Sequence, residues 1–136
     1  MLGEAFRLLS EEFDLDYLIL DTSAGMSNET LVALAGSRTV LTLVRSDRVD
    51  LNTARLNADL VQTLSRGQLM LVLSGVGPTG LDLEFEKAYR LPVTAALPAV
   101  AEVAEVSGQT LFVETFPEHQ LTTRYQEIAD ALAAAA

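Results

Sequence analysis

The stretch DYLILDTSAGMSNETLVAL, residues 16–34, sets an apolar run, YLIL (17–20), directly before an aspartate, a loop of small residues and a helix start. A strand that delivers Asp21 into such a loop can hold a carboxylate toward a magnesium-bound water, and Gly25 lets a backbone come close to a phosphate. Taken by itself, a strand-end aspartate is more often a plain loop residue or a helix cap.

The same kind of apolar run recurs along the chain. TVLTLV (39–44) and LMLVL (69–73) are short and rich in Leu and Val, without clean polar alternation, as parallel strands buried on both faces read. PVTAAL (92–97) and TLFV (110–113) are two further strand candidates. Helical periods lie between them. Residues 2–13 put Leu2, Phe6, Leu9 and Phe13 on one face, and residues 50–65 do so with Leu56, Leu60 and Leu64 behind an Asp50 cap. Ser27 or Asn28 can cap a helix over 29–36 that ends near Gly36; residues 81–90, 100–107 and 120–134 supply the remaining helices. Strands alternating with helices predict one α/β domain over residues 1–136: a three-layer α-β-α sandwich on a mainly parallel sheet of about five strands. The carboxyl edge of such a sheet is where ligands sit. Here that edge would collect Asp21, Arg45–Ser46–Asp47, Ser74–Gly75, Leu97–Pro98 and the segment after Val113.

Composition narrows the function classes. Hydrophobic residues make up 49% of the 136, enough for a sizeable core, and no apolar run approaches the roughly 20 residues of a membrane span. The N-terminus MLGEAFRLLSEEF is acidic and amphipathic, unlike a signal or transit peptide. The absence of cysteine removes disulfides and zinc–sulfur sites and fits a cytoplasmic location. Nineteen acidic against nine basic residues give a net charge of −10, which opposes nucleic acid and anionic lipid as direct partners and otherwise serves solubility.

Three further motifs invite chemistry. GVGPTG, Gly75 to Gly80, fits G-x-G-x-x-G after a strand, the pattern of a dinucleotide loop. The acidic residue expected at the end of the next strand is replaced by Leu97–Pro98, and Pro78 removes an N–H, so a glycine-rich turn is the better reading. His119, the only histidine, has no cysteine or evident carboxylate cluster beside it and no G-x-S-x-G serine to serve, so it reads as a loop residue before the last helix. That helix, QLTTRYQEIADALAAAA, carries Arg124 alone against ending alanines, so it packs rather than anchors to a membrane.

Beyond Asp21, the order of segments carries a resemblance. YLILDTSAGMSNETLVAL resembles the second nucleotide-binding motif of the MinD/ParA family of P-loop ATPases, which read much like D-[ST]-x-A-G. TVLTLVRSDRVDLNTARLNADLV is similar to that family's next strand, loop and helix; LMLVLSGVGP to the base-recognition loop; RLPVTAALP to its "iP" strand; and Gly108 to Pro117, with Val113 between them, to a closing glycine–valine–proline run. The likeness covers nearly all of this chain and about the C-terminal half of the family's domain.

The resemblance implies a truncated, Rossmann-like P-loop NTPase fold, with Asp21, Thr22 and Gly25 matching the magnesium and γ-phosphate-sensing segment. It also implies departures. The family's K-G-G-x-G-K-T-type loop and first switch aspartate would precede Met1. Ser74 stands where an asparagine usually reads the adenine, and Ala99–Val100 follow Pro98 where an acidic residue is common. The expected function is a degenerate MinD/ParA-like domain without ATPase activity, needing no cofactor and no metal beyond magnesium at Asp21, and acting as a protein-interaction or regulatory module. The alternatives are an ATPase that binds Mg-ATP once its phosphate-binding part is present or supplied by a partner, and a Rossmann-like dinucleotide enzyme using Gly75–Gly80. A receiver domain needs an acidic pair at the end of its first strand and a late lysine, and the only lysine near a strand, Lys87, falls inside a helix. In the family a strand lies between those matching 17–20 and 39–44. Without it, these two are expected to pair directly in a 1-2-3-4-5 sheet whose first strand meets a protein partner or a second copy in a homodimer.

Overall fold

The computed structural model of the chain describes residues 2–23, 25, 27–45, 59–64, 67–76, 86–87, 90, 92–106, 108 and 110–135. Three parallel strands form its sheet, β1 (Thr39–Arg45), β2 (Gln68–Val76) and β3 (Val93–Pro98), in the order β1-β2-β3. Around them lie α1 (Leu2–Glu12), α2 (Asn28–Gly36), α3 (59–64), α4 (Glu102–Val106), α5 (Phe112–Thr115) and α6 (Gln120–Ala134).

The central strand explains the unbroken apolar runs. Met70, Leu71, Val72 and Leu73 of β2 are all buried, because neighbouring strands flank them and helices lie on both faces. Leu69 and Val72, three positions apart, face opposite ways. Leu69 joins Leu34 of α2, Val40 and Val61 of α3 in one cluster. Val72 joins Ala95, Leu97, and Leu121 and Ile128 of α6 in the other, with Phe112 against it. The result is an α-β-α sandwich in which β1 and β2 pair in unbroken register from Thr39↔Gln68 to Arg45↔Ser74. β2 and β3 pair with two irregularities, one at Gly75, whose φ of 71° suits glycine.

Two expected strands are not formed. Residues 17–20 run without regular structure, with Tyr17 and Ile19 well exposed, so they neither pair beside 39–44 nor make a sheet edge. Extended apolar residues become a strand only with a partner row of N–H and C=O groups, and none of the described residues supplies one. In TLFV (110–113) the helix α5 takes over from Phe112. The Phe112 and Phe116 rings meet at 5.0 Å, and Phe112 stands edge-on to His119 at 5.2 Å. The Phe116 N–H closes this single turn onto the Phe112 carbonyl, and Phe112 packs against the cluster of Val72 and Leu121, which takes the apolar run out of the sheet. Among the described residues the sheet therefore has three strands, not about five.

Among the described residues, helices form at 2–12, 28–36, 59–64, 102–106 and 120–134, close to the expected segments, with smaller differences in what they bury; of the expected helix 81–90 only residues 86, 87 and 90 are described. Leu9 on α1 and Phe13 just after it are exposed while Phe6 is half-buried, so of these three residues of the predicted apolar face only Phe6 is covered. On α3, Val61 is buried while Leu60 and Leu64 stay largely exposed. Asp50, Leu56 and residues 77–85, which hold most of the glycine-rich motif, lie outside the described residues. Among the described residues no helix is long and apolar enough to cross a membrane.

Candidate functional site

The chain leaves α1 through Asp14, at a φ of 49°, and runs through residues 17–23 without helix, turn or bend. Gly25 turns it at a φ of 96°, a positive value that glycine adopts freely and other residues rarely do, and α2 begins after Ser27. Ser27 caps that helix. Its Oγ accepts the backbone N–H of Thr30 at 3.2 Å and lies 3.3 Å from the Thr30 hydroxyl. Of the two caps the sequence allows, the hydroxyl at position 27 is the one used.

Between this segment, α1 and α2 lies an open groove of about 570 Å³. Residues 19–23 form one wall, Phe6 of α1 contributes its ring, and Asn28, Glu29, Thr30, Val32 and Ala33 of α2 form the other wall. The lining combines apolar residues such as Phe6, Ile19 and Val32 with the acidic Asp21 and Glu29. Phe6 also abuts Gly36, where an added Cβ would come within 3.2 Å of its ring, so a larger residue there would make the ring shift by a few tenths of an ångström.

Asp21 and Thr22 are exposed and sit together in this groove, with Ser23 beside them. Glu29 shares it. The Ser27 hydroxyl and Glu29's own backbone N–H hold the Glu29 carboxyl below the usual carboxylate range. The groove thus offers two carboxylates and several hydroxyls, and none of its described lining residues is a lysine or arginine. Among the described residues no three His, Cys, Asp or Glu side chains cluster as a metal site.

Ser74 is not part of it. The registers Arg45↔Ser74 and Ser74↔Leu97 bring these three to the carboxyl edge of the sheet, as the strand pattern predicts, but the groove at Asp21 includes none of them. Gly25 borders the groove through the chain without lining it. His119 serves the scaffold, since its Nδ1 accepts the Leu121 N–H at 3.0 Å and caps α6. Glu29 and Phe6 are the groove residues that sequence reasoning missed. An acidic residue two positions after a capping serine was the available signal for Glu29; nothing local marks Phe6.

No family model matches the chain, and no curated protein matches it. Among solved structures it is similar to "MinD cell division protein, Aquifex aeolicus", with a TM-score of 0.84 and 9% sequence identity. The match covers 98% of this chain and 60% of that one. The fold of this chain is therefore MinD-like, and it spans less than two thirds of the structure it matches.

Proposed function

We propose that this chain is a MinD-like domain that works as a protein-interaction or regulatory module in the cytoplasm and does not hydrolyse ATP. The observation that supports this reading is the electrostatics of the groove at Asp21. A triphosphate is held by oriented N–H groups and by lysine or arginine charge, whereas the described lining brings two carboxylates and no cation. The net charge of −10 adds to the repulsion. Asp21 and the Thr22 hydroxyl have the right chemistry for magnesium, with Gly25 at the turn after them, yet the same groove does not suit the phosphates that would bring it. Ser74 is not among the residues that line the groove at Asp21. The partner is a polypeptide, another chain or a second copy of this one, and not nucleic acid.

A second reading is supported by the MinD-like fold and by the pairing of Asp21 with Thr22 in one groove. In it, an ATPase binds Mg-ATP with phosphate-binding groups contributed from outside the described residues. Calorimetric titration with Mg-ATP separates the two. The first reading expects no binding tighter than about millimolar, near −4 kcal/mol; micromolar binding overturns it in favour of the second.

A further inference from the structure

The chain holds one histidine and no cysteine, so between about pH 5 and 8 an imidazole is the side chain that changes charge. That histidine, His119, is half-buried at the corner between α5 and α6. Its Nδ1 accepts the Leu121 N–H at 3.0 Å, its own N–H donates to the Phe116 carbonyl at 3.2 Å, and its carbonyl accepts the Thr123 N–H at 3.2 Å. The Phe116 carbonyl also accepts the Thr122 hydroxyl at 2.6 Å. Leu121 is only 2% exposed and lies in the cluster with Val72, Ala95 and Leu97. The capping bond and the core anchor of α6 therefore meet in one residue.

A nitrogen that accepts a hydrogen bond carries no proton, so the capping ring is the neutral form with its proton on Nε2. An imidazolium bears N–H on both nitrogens. Protonated, Nδ1 would set donor against donor at Leu121, at the positive end of a 15-residue helix. The ionisable groups of α5, the corner and the first two turns of α6 are Glu114, Glu118, Arg124, Tyr125 and Glu127, and β3, against which α6 packs, has none. His119 forms no ion pair with a described residue, and Glu127 is bound to Arg124 at 2.8 Å, so no carboxylate is in place to hold the cation. We infer that His119 makes the docking of α6 pH-sensitive: neutral, it caps the helix and keeps Leu121 in the core; protonated, it gives up the cap and loosens the first turn. The stabilisation is complete where the ring is neutral and is lost as pH falls through the range in which histidine takes up a proton. It acts whichever reading of the groove at Asp21 holds, since no residue of α6 lines that groove.

The test follows backbone amide exchange in the full chain at about pH 7.5 and about pH 5.5, each rate taken relative to an unstructured chain at the same pH. Protection of the Leu121 and Thr123 amides is expected to fall at least about fivefold on acidification, the factor that matches a cap of ordinary strength, while Leu71 and Val72 in β2 keep theirs. His119→Asn supplies an acceptor that does not titrate in this range, so its protection should be the same at both pH values. At the higher pH, the imidazole nitrogens of the unmodified chain read by NMR should show the proton on Nε2. A proton on Nδ1, or protection at Leu121 that does not change with pH, overturns the inference without needing any variant to fold. An equal fall in the H119N variant overturns it too. So does a fall shared by Leu71 and Val72, because that reports unfolding of the whole chain and not release of α6.

Discussion

A Cβ placed on Gly67 would collide with the carbonyl of Arg38, whose oxygen accepts the backbone N–H of Gln68 at 2.8 Å. The contact lies where β1 and β2 begin side by side, so the glycine is what lets the two strands start in register. Gly67→Ala is expected to cost roughly 2–3 kcal/mol, the upper part of the range for overpacking, because the obstacle is backbone and cannot swing aside. Urea unfolding checks this; an unchanged midpoint would mean that the strands separate here at little cost.

Leu71 is fully buried at the centre of β2, paired across to Val93, whereas Leu43 on β1 is 61% exposed. Leu71→Ala should therefore cost about 2–5 kcal/mol. Leu43→Ala should stay within about 1 kcal/mol. Similar losses at both sites in thermal melts would show that the exposed face of β1 is covered in solution.

Asp21 is exposed and makes no hydrogen bond to a described residue, while Ser27, six positions on, holds the Thr30 N–H. Asp21→Ala should change stability by less than about 1 kcal/mol. Ser27→Ala should cost about 0.5–2 kcal/mol as α2 loses its cap. A large loss at Asp21 would assign it to the scaffold and remove it from the candidate site.

Glu29 sets a pH dependence whose sign follows from its lowered value. Its folded-state pKa lies below the unfolded one, near 4.3, so its stabilising contribution is complete above that value and fades as pH falls through the folded pKa. Side-chain NMR titration should give a midpoint below that of an ordinary glutamate. Since the Ser27 hydroxyl is the larger cause, Ser27→Ala should move the midpoint up. An ordinary midpoint in the unmodified chain would contradict the geometry.

His119 caps α6 through Nδ1, and α6 brings Leu121 and Ile128 onto the sheet. His119→Ala should cost about 1 kcal/mol and His119→Asn should restore most of it, because asparagine is a good cap. Loss without rescue, followed by circular dichroism, would point instead to the ring's contact with Phe112.

What the residues determined by themselves is the alternation of elements and the central sheet. TVLTLV, LMLVL and PVTAAL each became a strand, and the helices α1, α2, α4 and α6 fell in the segments whose spacing predicts them. Such periodicity reflects which side chains must leave water, and that requirement is written locally. Asp21 and Thr22 were legible for the same reason: a short motif in a loop needs no distant partner to be seen. Tertiary structure decided what periodicity cannot state. YLIL is as apolar as LMLVL, yet only LMLVL has strands on both sides, and a strand exists only where a second chain segment completes its hydrogen bonds. TLFV was claimed by the packing of Phe112 onto the α6 cluster. The groove likewise depends on Phe6, fifteen residues before Asp21, being held against Gly36 by the approach of α1 to α2. That contact joins residues distant in the chain, and its physics lies in shape complementarity between two helices, which no local pattern of residues encodes.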